Sequence, residues 1–311
     1  MSGTIAVTGG SGFIGAALIR RLVARGERVK ALARDPRKLP CADDIEPIAG
    51  ALEDDAALAR LAAGADRFIH CAGATHARRD ADYDAVNAEG ARRAAEAAAR
   101  AGARFAHVSS LSARTPAVSP YAASKARGEA LVSAAAGENE RLIVRLPAVY
   151  GPGDRAALPY FRLVRAGIAP EPWTTPEARA SLLFVEDAAE ALVAALERAP
   201  AGAVYEADDD APEGRAWREI GQTLGEILGR APRRVRLPRP LVSLYHGLAR
   251  GAAAAAGRPS AFRSGQVGEF FHPDWVAREN RLSAATDWRP AVSLKEGFAK
   301  TVRWYQENGL L

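Results

Sequence analysis

The chain has 311 residues, of which 48% are hydrophobic and 25% charged, the proportions of a folded globular protein of one large domain or two modest ones. Those proportions exclude a disordered, collagen-like or fibrous chain, and no uninterrupted run of about 18 apolar residues marks a membrane span. The net charge of +5 rests on 37 arginines against 5 lysines, a bias of GC-rich coding rather than a nucleic-acid footprint, and no zinc-finger spacing or aromatic-basic RNA motif accompanies it.

The N-terminus, MSGTIAVTGG, has no basic n-region and runs straight into an apolar strand, so no secretory signal is expected. The two cysteines, Cys41 and Cys71, cannot make a disulfide framework and suit a reducing cytoplasm. Along the first half, Ile5–Val7, Val29–Ala33, Arg67–Cys71, Arg104–Ser109 and Leu142–Leu146 read as buried strands. Amphipathic helical patterns alternate with them at Phe13–Arg25, Ala56–Ala63, Tyr83–Ala101 and Tyr121–Ala136. This alternation predicts an α/β chain with right-handed crossovers and a doubly wound parallel sheet covered on both faces.

After Gly151 proline and glycine become dense. A helix is expected at Val185–Arg198, a short strand at Ala203–Ala207, and helices at Trp217–Leu228 and Leu294–Asn308. The expected division is a dinucleotide-binding domain over 1–155 plus about 183–207. A smaller C-terminal substrate-binding lobe, about 156–182 and 208–311, is expected over the carboxyl edge of the sheet.

The segment TGGSGFIG, Thr8 to Gly15, follows a strand and opens a helix. Gly9 permits the tight turn, Gly12 lets backbone reach a pyrophosphate, and Gly15 lets helix pack close to strand. Ser11, Phe13 and Ile14 belong to the same expected cofactor contact, where free N–H groups and the helix dipole meet the phosphates. After the second strand, the position where an NAD-type acid is expected holds Ala33, and Arg34 follows it, with Lys38 adding charge nearby. Arginine suits a 2′-phosphate, so NADP(H) is favoured, while Asp35 keeps NAD(H) as the alternative.

Tyr121 and Lys125 stand four residues apart on one helix face. A free tyrosine, with a pKa of about 10, is a poor acid or base at neutral pH, and a neighbouring ammonium would bring it into working range. Upstream, Ser110 ends a strand at the sheet's carboxyl edge, where its hydroxyl can hold a substrate carbonyl against the tyrosine. Ser112 is the alternative two residues on.

In this order, the motifs resemble those of the extended short-chain dehydrogenase/reductase family, also described as the NAD-dependent epimerase/dehydratase family. The resemblance spans nearly the whole chain. It includes His70-Cys-Ala-Gly73, Asn87-Ala-Glu-Gly90, Arg145-Leu-Pro-Ala-Val-Tyr-Gly-Pro152, Phe184-Val-Glu-Asp187 and Asp287-Trp-Arg-Pro290. It implies a Rossmann-like fold, Tyr121 as general acid/base, Lys125 on the nicotinamide ribose and Ser110 orienting substrate. Leu52, Ala72, Gly73, Asn87, Pro147 and Val149 would line the cofactor, and the helices Tyr83–Ala101 and Tyr121–Ala136 would form a homodimer interface.

The departures matter too. Where dehydratases of the family carry Thr-Asp-Glu, this chain has Leu111, Ser112, Ala113 and Arg114, with no carboxylate. Where sugar-nucleotide epimerases show Tyr-Gly, it has Arg114-Thr115, and Tyr121 follows Ser110 after only 11 residues. The reading is therefore an NADP(H)-dependent ketone reductase. An NAD-dependent nucleotide-sugar epimerase and a non-catalytic dinucleotide-binding subunit are the alternatives.

His76, Arg78 and Arg79 read as a solvated loop near substrate entry, His107 as a satisfied core histidine, and Cys71 as a core residue lacking a base partner. Arg155 is a candidate substrate contact. No metal site is expected: His246 and His272 lack partners at ligand spacing, and Asp208-Asp-Asp210 lacks the EF-hand pattern. Lastly, Arg230, Arg233, Arg234, Arg236 and Arg239 precede an apolar stripe, Leu241, Leu244, Tyr245 and Leu248, at helical spacing. The plainer reading packs that stripe in the second lobe's core. The bolder one lays it on an anionic surface at the cytoplasmic face of the inner membrane, where a hydrophobic keto-sphingoid or keto-ceramide would be the substrate.

Overall fold

The computed structural model of the chain describes residues 3–77, 79–135, 141–258 and 263–311. Arg78 and Ala136, named above, lie outside the described residues. The first half runs β1 (Thr4–Thr8), α1 (Phe13–Ala24), β2 (Arg28–Ala33), β3 (Glu46–Ala49), α2 (Asp55–Ala62), β4 (Arg67–His70), α3 (Asp80–Asp84), α4 (Gly90–Arg100), β5 (Arg104–Ser110), α5 (Pro120–Ala135) and β6 (Arg141–Leu146). The remainder runs β7 (Ala148–Tyr150), α6 (Leu158–Arg165), β8 (Ile168–Pro172), β9 (Arg179–Ala180), β10 (Leu182–Phe184), α7 (Val185–Arg198), β11 (Val204–Glu206), β12 (Arg215–Ala216), α8 (Trp217–Ile227), β13 (Arg233–Leu237), α9 (Arg239–Ala255), α10 (Gln266–Phe270), β14 (Asp274–Trp275), α11 (Leu282–Ala285) and α12 (Leu294–Glu307).

Seven strands form one parallel sheet in the order β11-β6-β5-β4-β1-β2-β3. It is a Rossmann-like doubly wound α/β sheet. The alternation of side chains along β1 shows why both faces must be covered. Ile5 and Val7 enter a core with Leu18 and Leu22 of α1 and the alanine-rich α7, while Ala6 enters the opposite core under α2 and α4. On that second face Ala91, Ala94, Ala95 and Ala98 of α4 are buried against Phe68 and Phe105, small side chains letting the helix lie close to bulky strand residues.

A third apolar cluster stands outside the sheet, built from Phe161 of α6, Ile220 and Leu224 of α8, and Phe298, Val302 and Tyr305 of α12. The Phe161 ring meets Phe298 and Tyr305 edge-on at 5.4 and 5.2 Å. The clusters interleave along the chain. Leu282 and Trp288 are buried in the sheet's core, whereas Tyr150 and Phe184 belong to the third cluster.

Several expectations need correction. The edge strand β3 goes unread in the sequence because only Ile48 of its four residues is buried. The helix expected from Tyr83 begins at Asp80 and contains a π-helical turn, Ala85–Glu89, between α3 and α4. The arginine-rich segment before α9 is not a loose basic run: β13 pairs in parallel with β8, and Arg234 and Arg236 both bond to the buried carboxylate of Glu171. The stripe on α9 is not core either, since Leu241, Leu244, Tyr245 and Leu248 are all exposed. No helix among the described residues is long and apolar enough to cross a membrane.

Candidate active site

The site begins where β1 turns into α1. Gly9 has φ +73°, a left-handed conformation that glycine adopts without cost, and a Cβ there would lie 2.5 Å from the backbone nitrogen of Ala72. A Cβ on Gly15 would overlap the Gly9 carbonyl oxygen, so helix and turn touch backbone to backbone. Gly12 is the N-cap of α1, and no side chain caps the helix there. A Cβ on Gly12 would meet only the Gly9 oxygen, at 3.2 Å. The exposed helix start therefore opens into a cavity of about 870 Å³, whose walls include Gly9, Ser11, Gly12, Arg34, Leu52, Ala72 and Gly73. An uncapped helix N-terminus with a glycine floor fits the pyrophosphate of a nicotinamide dinucleotide. Phe13 and Ile14 form the first turn of α1 and are half-buried.

At the far wall Arg34 is exposed and lines the cavity. Asp35 is committed elsewhere. Its carboxylate accepts from Arg37 Nε at 2.9 Å and Nη2 at 3.2 Å, and the Arg37 guanidinium holds its pKa below the ordinary carboxylate value. Lys38 is exposed at the end of the following turn, Pro36–Lys38. Glu53 and Arg93 also line the cavity and carried no motif by which sequence reasoning could have found them.

Asn87 sits in the π-helical turn and is fully buried. Its amide oxygen accepts from the Ala74 N–H at 2.7 Å, and its nitrogen donates to the Ala74 carbonyl at 3.0 Å and to Ser124 Oγ at 2.9 Å. Both donor hydrogens are thus used within the protein. Through these bonds Asn87 fixes the loop after β4 against α5. Pro147 is buried and Val149 half-buried where β6 passes into β7.

Ser110, Tyr121 and Lys125 converge at the carboxyl end of β5. Ser110 Oγ accepts from Ser112 N–H at 3.2 Å and Ser112 Oγ at 3.0 Å, so Ser112 supports Ser110 from behind. Burial raises the pKa of Tyr121, a hydrogen bond with Ser110 opposes that shift, and Glu269 adds to it while Arg263 counters. The Lys125 ammonium donates to the Val108 carbonyl at 2.8 Å and lies near Gly73, where a Cβ would come within 3.6 Å of Nζ. Burial lowers the Lys125 pKa to about 8, with the charge of Glu129 partly offsetting this. The same burial pushes the Cys71 thiol up to about 12, the condition of a core residue rather than a nucleophile.

The roof over Tyr121 went unread in the sequence. The Arg263 guanidinium stands 5.5 Å from the Tyr121 ring centroid, within cation–π range. Glu269 of α10 binds Arg263 and accepts from Ser119 Oγ, which itself caps α5 through the Ala122 N–H at 3.0 Å. Below, a buried charge network ties the sheet to the segment after β14. Glu129 receives Arg145 at two oxygens, and Glu206 accepts from Arg114 and from the N–H groups of Arg278 and Glu279. Arg114, which occupies the family's Tyr-Gly position, also donates to the Val276 carbonyl at 2.9 Å.

Two histidines lie under this edge. His70 Nδ1 bonds Thr8 Oγ1 at 2.8 Å, and its ring stacks on His107 at 5.5 Å. Neither ring nitrogen of His107 has a hydrogen-bond partner among the described residues, which corrects the expectation of a satisfied core histidine. Burial lowers His70 to about 3 and holds His107 well below its ordinary value. Of the other residues singled out, His76 lines the cavity, Arg79 pairs with Asp82 at 2.7 Å, and Arg155 is exposed. No cluster of metal-ligating side chains occurs among the described residues.

A doubly wound sheet with a glycine turn, an uncapped helix start and a Ser-Tyr-Lys group at its carboxyl edge defines a dinucleotide-dependent enzyme. The chain belongs to the NAD dependent epimerase/dehydratase family, whose model matches residues 5–207. It is 40% identical over 312 residues to a ceramide reductase from Caulobacter vibrioides, covering 99% of this chain and 96% of that one. It is 33% identical over 236 residues to a 4-hydroxy-2-methyl-3-oxo-4-farnesyl-3,4-dihydroquinoline-1-oxide ketoreductase from Stigmatella aurantiaca, covering 66% and 68% of the two chains. Among solved structures, the Bordetella bronchiseptica enzyme WbmG in complex with NAD superposes with a TM-score of 0.73 at 20% identity over 100% of this chain and 96% of that one, a likeness of fold. The protein is an oxidoreductase of this family.

Proposed function

We propose that the protein is an NADP(H)-dependent reductase that converts the ketone of a long-chain lipid, of the keto-sphingoid or keto-ceramide class, to an alcohol. The observation that carries this reading is the meeting of the Ser110 and Tyr121 hydroxyls. Glu269, the acid that acts on Tyr121 there, is tied to Arg263 and Ser119. NADPH, when bound, supplies a hydride to the carbonyl carbon. Tyr121 gives its proton to the carbonyl oxygen, Ser110 donates a hydrogen bond to that oxygen, and Lys125 holds the nicotinamide ribose and stabilises the phenolate left on Tyr121 with its positive charge. In this reading Gly9, Ser11, Gly12 and Gly15 receive the pyrophosphate, Leu52, Ala72 and Gly73 line the dinucleotide, and Pro147 and Val149 flank the nicotinamide. The substrate lobe comprises 156–182 and 208–311. The 40% identical ceramide reductase supports the substrate class, and in this reading the enzyme is a peripheral protein at the cytoplasmic face of the inner membrane.

The test is incubation of purified protein with NADPH and a keto-ceramide in mixed micelles. Expected are loss of NADPH absorbance and a product heavier by two hydrogens. No oxidation of NADPH by any long-chain ketone, together with tightly retained NAD and turnover of a nucleotide sugar, would replace this reading with the epimerase one.

Arg34 supports the choice of NADP(H), because it faces the groove while Asp35 is occupied by Arg37. Arg34→Ala is expected to weaken NADPH roughly tenfold to a hundredfold, the worth of a charge-assisted hydrogen bond, and to leave NADH nearly unchanged. Fluorescence titration of both cofactors reads this directly, and equal weakening of the two would remove Arg34 from the 2′-phosphate.

A further inference from the structure

Seven large apolar side chains are exposed among the described residues, and none belongs to the seven-stranded sheet or the helices that cover it. Four of them lie on α9: Leu241 at 60%, Leu244 at 60%, Tyr245 at 63% and Leu248 at 66% exposure. Their spacing of i, i+3, i+4 and i+7 places them on one face. Val242, His246, Ala249 and Ala253, on the adjoining flank, are half-buried, so the helix is seated on the protein by a different side. Trp173, also 60% exposed, stands at the entry to this helix, its backbone N–H donating to the Leu237 carbonyl at 3.0 Å.

The charge along the chain segment that carries this helix is of one sign. No Asp or Glu stands between Glu226 and Glu269, while eight arginines do. Arg234 and Arg236 are engaged by Glu171, and Arg263 by Glu269. The other five, Arg230, Arg233, Arg239, Arg250 and Arg258, are exposed, and none makes an ion pair among the described residues.

We propose that α9, with Trp173 at its entry and these arginines around it, is a docking surface for an anionic lipid bilayer. An apolar stripe of this size on a water-facing helix is rare unless something covers it. A second copy of the chain would cover it only by bringing another set of unpaired arginines against the first. An anionic bilayer answers both features at once. The leucines, Tyr245 and Trp173 enter the boundary between headgroups and acyl chains, and the arginines reach the lipid phosphates on stems that themselves lie along apolar surface. The helix α10 packs against α9 and carries Glu269, which holds Arg263 over Tyr121, so docking brings the roof of the catalytic cleft to the lipid. As a route for a lipid ketone the surface rests on the reductase reading. As a membrane contact it stands alone.

Sedimentation of the full chain, without cofactor or ketone, is the test. Vesicles of phosphatidylcholine are compared with vesicles containing phosphatidylglycerol, each at low and high salt. The protein is expected to pellet with the anionic vesicles at low salt, and to lose about tenfold or more of that binding on neutral vesicles or at high salt. Leu244→Glu/Leu248→Glu and, separately, Arg239→Glu/Arg250→Glu should each abolish pelleting, with NADPH binding unchanged as proof of folding. Binding that is equal on neutral vesicles, absent on anionic ones, or indifferent to both variants would overturn the proposal. So would a concentration-dependent dimer in solution that the leucine variant dissolves. Because no turnover is measured, a negative result leaves the ketone reductase standing, and an inactive enzyme that binds vesicles would sink only the latter.

Discussion

Tyr121→Phe is expected to lower kcat for ketone reduction by roughly 10² to 10⁴, the range for loss of a positioned proton donor, with NADPH affinity unchanged. The ring would keep its surroundings, since Tyr83 meets it edge-on at 6.1 Å and Arg263 lies 5.5 Å above it. Only the ionisable oxygen is removed. A guanidinium such as Arg263 does not titrate in the working range, and Glu269 is held by Arg263 and Ser119. Among these charged neighbours Lys125, whose pKa burial lowers to about 8, is the one that could release a proton, and its Nζ is directed at the Val108 carbonyl. The measurement is NADPH oxidation at saturating ketone beside a cofactor titration. A Phe variant retaining more than about a tenth of the wild-type rate would show that the proton comes from elsewhere.

The second large effect is on stability. Glu206 is 1% exposed and accepts two backbone N–H groups, from Arg278 at 2.9 Å and Glu279 at 3.0 Å, in addition to Arg114 at 3.4 Å. Glu206→Ala strands those donors around a void. Breaking a buried charge pair by removing one partner costs about 3–5 kcal/mol, and here the lower end applies because Arg114 keeps the Val276 carbonyl and Arg145 keeps Glu129. A loss of about 3 kcal/mol in urea unfolding is therefore expected, with Glu206→Gln milder because an acceptor oxygen remains. A loss below about 1 kcal/mol would mean that the 276–279 segment is held by packing instead.

What the sequence disclosed and what it hid divide along physical lines. The strands of the sheet could be read because burial on both faces demands an apolar residue at nearly every position, as in Ile5, Ala6 and Val7. The strand Glu46–Ala49 could not, because an edge needs only Ile48 and tolerates Pro47. The glycine turn is a local device, and its spacing carries its geometry. The roof over Tyr121 is not local: Ser119 and Glu269 meet across 150 positions, and no spacing rule links them. Arginine misled in the same way. In Arg230–Arg239 the chain offers only like charge, and the carboxylate that turns part of it into a strand, Glu171, comes from the neighbouring strand. Asn87 stands out in the sequence as a polar residue in the Asn-Ala-Glu-Gly segment, while its partners, the Ala74 carbonyl and Ser124, lie 13 and 37 positions away and could not be read there.

The stacked pair His70 and His107 has a consequence for proton uptake. Once unfolded, both imidazoles accept protons near the ordinary value of 6.5, whereas in the fold burial keeps His70 neutral down to about 3 and His107 below 6.5 as well. The unfolded chain therefore binds more protons than the native one throughout that interval, and stability drains away as pH falls from about 6.5 towards 3. An acid titration followed by tryptophan fluorescence should show this, and His107→Leu should shift the midpoint to lower pH. An unmoved midpoint would assign acid sensitivity to the carboxylate network instead. The parallel sheet thus carries an acid limit of its own, set by the stacked pair of rings three residues below Ser110.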